Sequence, residues 1–181
     1  MGYGTTTITN STIANNTGGI SDGIYIEGSG TLRMKNTILA NNTTTDFSKG
    51  SATITDNGYN IVEVSSGYAW SGTGDITGDQ ANLNLSGTLA DNGTVNGTQT
   101  LVLSAGSVAI DAGNGTANNG VSIPATDQRG VSRSGATDIG AYEYEADVTA
   151  PTVSTLSPTD GATGVATTAN LVITFDEAVD V

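Results

Sequence analysis

The stretch ITNSTIANNT, residues 8–17, is written again as MKNTILANNT, residues 34–43, and no other feature restricts the possible folds so strongly. At a spacing of 26 residues, Gly4 falls on Gly30, Ile8 on Met34, Asn10 on Asn36 and Ile13 on Leu39. Asn15-Asn16-Thr17 then falls on Asn41-Asn42-Thr43. A fixed internal period of this size marks a stacked repeat, in which one unit cannot bury its apolar edge without a neighbour. Within each copy the apolar residues recur at every second position, skip, and resume, which reads as strand, corner, strand. Between the copies Ile24 and Ile26 alternate with Tyr25 before a Gly-rich corner. One period thus holds about three short strands, each rising ~3.3 Å per residue. That is one turn of a parallel β-solenoid, and stacking sets Ile8 over Met34 and Ile13 over Leu39. Asn10 with Asn36, and Asn15 with Asn41, are the candidates for side-chain amide ladders along the axis; Asn is also simply a good turn residue. A fainter third copy, SATITDNGYNIV (residues 51–62), follows, and beyond it the repeat is lost.

Composition agrees with strands and tight turns. Thr, Ser, Asn and 25 Gly fill the chain, while aromatic residues make up only 5%. The formal charge of −13 comes from 18 acidic and only 5 basic residues. Arg33, Lys35, Lys49, Arg129 and Arg133 cannot form the basic stripe that nucleic acid or an anionic membrane requires. Without Cys there is no disulfide or thiolate chemistry, and without His the commonest neutral-pH proton carrier is missing. No apolar run approaches the ~18 residues of a membrane span, so no membrane insertion is expected in this segment. Met1 is not followed by a signal-peptide pattern. Two clear repeats are fewer than the about three a solenoid needs. The chain is therefore expected to start inside a repeat, with more turns upstream.

From GYNIV (58–62) onward, further phrases accumulate in order: GTGDITGD (72–79), GTLADNGT (87–94), TQTLVLSAGSVAIDAG (98–113), ATDQRGVSR (125–133) and DIGAYEYE (138–145). Together with the repeats, this series resembles the C-terminal part of bacterial right-handed β-helix surface proteins of the pectate-lyase-like, choice-of-anchor type. The chain departs from that pattern where such proteins carry Gly-Pro and His near NGTVNGTQTL, and where Val108 replaces a Pro after AGS. The resemblance implies an all-β fold: a right-handed, single-stranded parallel β-helix of few rungs over residues 1–66, then a C-terminal end cap over 67–147. After EYEAD the style changes. Residues 148–181, with PTVSTLSPTDGATGV and NLVITFDEAV, resemble a linker and the opening of a bacterial Ig-like module. A sandwich of that kind needs about 100 residues. The tail is accordingly expected to be extended, in part disordered, or to lie against the helix, and further modules are expected downstream.

Chemistry-bearing residues are few. Polysaccharide lyases on this fold resemble one another in using a Lys or Arg base beside Asp-bound calcium, and Arg33 and Lys35 are the base candidates on a repeating outward face. Without a trio of outward carboxylates beside them, the pair reads as a solvated face. Glycosidase chemistry needs two carboxyl groups about 5–9.5 Å apart, and nothing in the sequence fixes such a spacing among Asp46, Asp56, Glu63, Asp75 and Asp79. Asp75 and Asp79 are the candidates for a calcium ion, although Gly-Asp is also a common turn; no other cofactor is expected. Asp111, Asp127, Arg129, Asp138 and Glu143 belong to the cap phrases. They read as structural, with Arg129 forking onto the acids. A Thr array of the ice-binding kind, begun by Thr5, Thr7 and Thr9, is broken one level later by Arg33 and Lys35. The expected function is a structural or adhesive segment of an extracellular or cell-surface bacterial protein, with a polysaccharide or cell-surface glycan as partner. The rival class is part of a carbohydrate-active enzyme, lyase or glycoside hydrolase, whose site lies mostly outside the segment.

Overall fold

The computed structural model describes residues 4–19, 21–93, 97–133, 135–146 and 149–177, so the boundary expected at 147/148 lies outside the described residues. The chain divides into two units, Met1–Glu145 and Ala146–Val181. All regular structure described is β, and no described helix is long and apolar enough to cross a membrane.

In the first unit the chain visits three parallel sheets in turn. Its first circuit is β1 (Thr5–Thr9), β2 (Thr12–Ala14) and β3 (Ile24–Ile26). The second is β4 (Thr31–Lys35), β5 (Ile38–Ala40) and β6 (Phe47–Lys49), and the third is β7 (Thr53–Asp56), β8 (Ile61–Val62) and β9 (Ser65–Ser66). A last strand, β10 (Ile76–Thr77), pairs with β8. The sheets are β1-β4-β7, β2-β5-β8-β10 and β3-β6-β9. Ile8 pairs with Met34 and Ile13 with Leu39, the register that the duplicated phrase demands. The faint third copy is a complete level, since Leu32 pairs with Ile54 and Leu39 with Val62. It is hard to see in the sequence because its corners are shorter. Asn10 bonds Asn36 across 26 residues, whereas Thr37 bonds Asn60 across 23.

The corner leading into the second sheet has one backbone requirement. Two residues before each strand of that sheet stand Asn10 (φ 45°), Asn36 (49°), Tyr59 (58°) and Gly74 (76°), all left-handed. Asn and Gly enter this region at little cost, and a bulky aromatic does so rarely.

Two apolar cores flank the second sheet. Leu32 and Met34 of the first sheet, Leu39 and Val62 of the second, and Phe47 of the third close together between the sheets. The opposite face of the second sheet presents Ile38, Ala40 and Ile61, which meet Leu83, Leu103, Ala109 and Ile139. All of β5 is therefore buried. The described residues between 79 and 145 supply that cover in irregular form, tied by isolated antiparallel bridges such as Leu85–Leu103. Their hydrogen bonds reach all three circuits: Ala141 N donates to Thr12 Oγ1, Gly140 N to the Asn36 carbonyl, and Asn119 Nδ2 to Asn57 Oδ1. The region expected as an end cap thus divides in two. Residues 67–78 lie over the third circuit, where Tyr59 N donates to the Thr73 carbonyl and Trp70 meets Phe47 edge-on at 5.0 Å. The remainder lies along the side. The reason is visible in Ile38 and Ile61: a strand apolar on both faces needs a second layer.

The second unit forms a ladder of its own. β11 (Val153–Ser157) pairs antiparallel with β12 (Val172–Phe175), and Val153, Leu171, Val172 and Ile173 remain exposed.

Leu39 is fully buried between the sheets, whereas Ile13, its partner on the first circuit, is half-buried. Leu39→Ala should therefore cost about 2–5 kcal/mol and Ile13→Ala roughly half as much. Denaturant midpoints of the two variants check this order.

Candidate functional site

Strand β4 alternates, with Leu32 and Met34 inward and Arg33 and Lys35 on the other face. The expectation of a solvated pair does not hold for Lys35. That residue is 2% exposed, and Arg33 is half-buried with Nε unpartnered. The covering segment explains this, because Asn114 and Asn119 anchor it to Asn36 and Asn57 beside β4. Lys35 Nζ lies 5.0 Å from the centre of the Tyr59 ring and bonds no acceptor among the described residues. Burial lowers its pKa. The ammonium borders a polar cleft of about 560 Å³ walled by Asp56, Asn57, Tyr59, Gly72 and Asn114.

Two carboxyl groups meet at the same corner. Asp56 Oδ1 accepts from Gly58 N at 2.9 Å and from Asn60 Nδ2 at 3.3 Å, and its Oδ2 accepts from Gly72 N at 2.9 Å. Asp75 Oδ1 accepts from Asn60 N at 2.8 Å, and its Oδ2 takes the same Gly72 N at 2.8 Å. Burial, and then the neighbouring Asp56 carboxyl, push Asp75 up to about 7. Protonation of Asp75 relieves the repulsion between the two carboxyls. The corner has no room for side chains: a Cβ on Gly72 would lie 2.6 Å from Asp56 Oδ1. Asp79, the other half of the calcium candidate, is exposed, while both Asp75 oxygens face N–H donors. The structure thus joins Asp75 to Asp56. Of the other acids weighed, Asp46 accepts from Asn42 N and Val64 N, and Glu63 from Asn41 N.

The Asn residues divide in the same way. Asn36 Nδ2 reaches Asn10 Oδ1 at 3.4 Å and the Asn114 carbonyl at 2.9 Å. Asn15 and Asn41 take the left-handed corner conformation, and Asn15 Nδ2 donates to the Gly87 carbonyl. The stacked amides lie one residue later, where Asn16 Nδ2 donates to Asn42 Oδ1 at 2.9 Å. Asn42 passes the chain on to Asp46 Oδ1 at 2.7 Å.

In the covering segment, Arg129 Nε and Nη2 both reach Asp127 Oδ2 at 2.8 Å, Nη2 also donates to the Glu143 carbonyl, and the guanidinium lies 3.6 Å over Tyr142. Arg133, which the sequence reasoning missed, pairs with the Glu143 carboxylate at 2.6 Å. Asp138 accepts from Asp111 N and Tyr144 N. Burial raises the pKa of Asp138 and of Glu143. Burial pushes Asp127 upward too, but the Glu143 N–H and Arg129 bonds prevail and hold it below the ordinary carboxylate range. The only hint of Arg133 is its scarcity: a base in an acidic chain, close to Arg129, seldom goes without a carboxylate. A second cavity of about 610 Å³ runs beside β2, lined by uncharged residues such as Asn16, Leu89, Gln99 and Gln128.

Residues 147–181 match the family model of a bacterial Ig-like domain. No curated protein matches the chain.

The unfolded chain releases the Asp75 proton near pH ~4, and the native chain holds it to about 7. Across that interval the native state binds more protons, so this group's contribution is full below ~4 and is lost as pH rises. Asp75→Asn should therefore flatten the fall in melting temperature between pH 5 and 8, as thermal scans would show. Arg129→Met strands the fully buried Asp127 carboxylate, and the expected loss is about 3–5 kcal/mol by chemical denaturation.

Proposed function

We propose that the first unit is a short right-handed parallel β-helix. It serves as a structural, adhesive segment of an extracellular or cell-surface bacterial protein, followed by an Ig-like module. The observation that carries this reading is the register itself. Three successive circuits put equivalent residues onto equivalent strands, as Ile13, Leu39 and Val62 do in the second sheet. Such a stack lengthens by repetition, and each circuit depends mainly on its neighbours. The match of residues 147–181 to a bacterial Ig-like domain supports a modular surface protein. The partner we assign is a polysaccharide or surface glycan, met on the polar cleft or on the groove beside β2. Amide and hydroxyl groups there match the hydrogen-bonding needs of sugars.

A panel of acidic and neutral polysaccharides tests this reading. The expected outcome is retention of glycan on immobilised protein, with no unsaturated product absorbing in the ultraviolet. Turnover that disappears in Arg33→Ala or Lys35→Ala would replace it with the lyase alternative.

A further inference from the structure

We infer that the cleft at Lys35 is a binding site for the carboxylate of a hydroxylated acid, the chemistry of a sugar acid. The inference rests on the surface-glycan reading and adds to it the charge of the ligand and the residue that selects it. A buried charge is ordinarily paired, because desolvation is otherwise uncompensated. Lys35 is 2% exposed, yet among the described residues its Nζ has only the face of Tyr59, 5.0 Å away. The other lysine shows the contrast: Lys49 Nζ donates to the carbonyls of Gly50 and Ala52. The nearby carboxylates do not supply the partner, since Asp56 and Asp75 direct their oxygens to backbone and Asn60 donors. An ammonium with unused donors at a cleft of about 560 Å³ calls for an anion from outside the chain.

The backbone gives a second, independent observation. Tyr59 takes the left-handed corner position that Asn10, Asn36 and Gly74 occupy on the other circuits. A bulky residue there is strained, and strain of this kind collects where a site needs it. The ring it brings is the surface that holds Lys35. Gly74 gives way to that ring, because a Cβ on Gly74 would stand 2.5 Å from Tyr59 Cδ1. The walls around the ammonium carry the amides and hydroxyls of Asn57, Ser71, Asn114 and Thr116, together with the Asp56 carboxylate, whose oxygens are already taken by Gly58, Asn60 and Gly72 donors. Buried Asn57 Nδ2 has no partner, which adds a donor still to be satisfied. One cation among several hydrogen-bonding groups, with the Asp56 carboxylate engaged by its own donors, suits a single carboxylate flanked by hydroxyls, and suits a highly charged anion poorly in a chain of net charge −13.

Calorimetric titration of the whole chain with glucuronate, N-acetylneuraminate and glucose tests the site. Saturable binding of either acid, weakened by salt, absent with glucose and lost in Lys35→Met, is the expected result, and the acid that binds identifies the source. Acylation of the two lysines, read by mass spectrometry, gives a measurement independent of the variant. The bound acid should slow modification of Lys35 at least several-fold and leave Lys49 unchanged. Equal binding by Lys35→Met, equal binding of glucose, or no protection of Lys35 overturns the inference. Retention of neutral glycans with both acids ignored would leave the surface-glycan reading standing and remove this site alone.

Discussion

Parallel pairing between successive circuits is the interaction on which the rest of the first unit depends. Each strand takes its hydrogen bonds from the equivalent strand one circuit away, so a one-residue slip anywhere would turn inward side chains outward. The corners prevent that slip. A left-handed residue two places before each strand of the second sheet turns the chain at the same point on every circuit, and Asn36 bonds back to Asn10 there. Ile8, Ile13, Met34 and Leu39 can pack as one interior because that corner keeps them in step.

The same pairing creates the need for the irregular half of the unit. Strands a few residues long alternate faces, and in the second sheet both faces are apolar: Leu39 goes inward while Ile38 and Ala40 go outward. Covering the outward set falls to the described residues between 79 and 145, which form no regular strand and therefore rely on other bonds. Arg129 and Arg133 provide many of these, binding Asp127, the Glu143 side chain and the carbonyls of Glu143 and Gly140. Two guanidiniums thus do in the cover what ladder bonds do in the sheets. Where the cover crosses β4 it also encloses Lys35, so the polar cleft is a by-product of covering a neighbouring apolar face.

Repetition made much of the stack readable in advance. The spacing of Asn10 and Asn36 placed the corner, and the alternation around Ile8 and Met34 placed the interior. The third circuit was faint because corner lengths vary, and backbone pairing is indifferent to corner length so long as the strands return in step. Asn16 with Asn42 was missed in favour of Asn15 with Asn41. In each doublet one Asn takes the strained backbone and its neighbour points along the axis, and the residue names do not say which. Arg129 with Asp127 could be anticipated from charge scarcity, but Asp56 with Asp75 could not.

What the sequence determined by itself is periodic and local: strand, corner, strand, with equivalent residues stacked, because a 26-residue repeat has few other ways to bury its apolar positions. What only the tertiary structure decided is everything joining residues without a shared period. Its cover lies along a sheet, Lys35 is enclosed beside Tyr59, and the Asp75 and Asp56 carboxyls meet at the Gly72 N–H. These depend on where an irregular chain comes to rest on a regular one. That is set by the summed fit of many side chains, and no spacing along the chain records it.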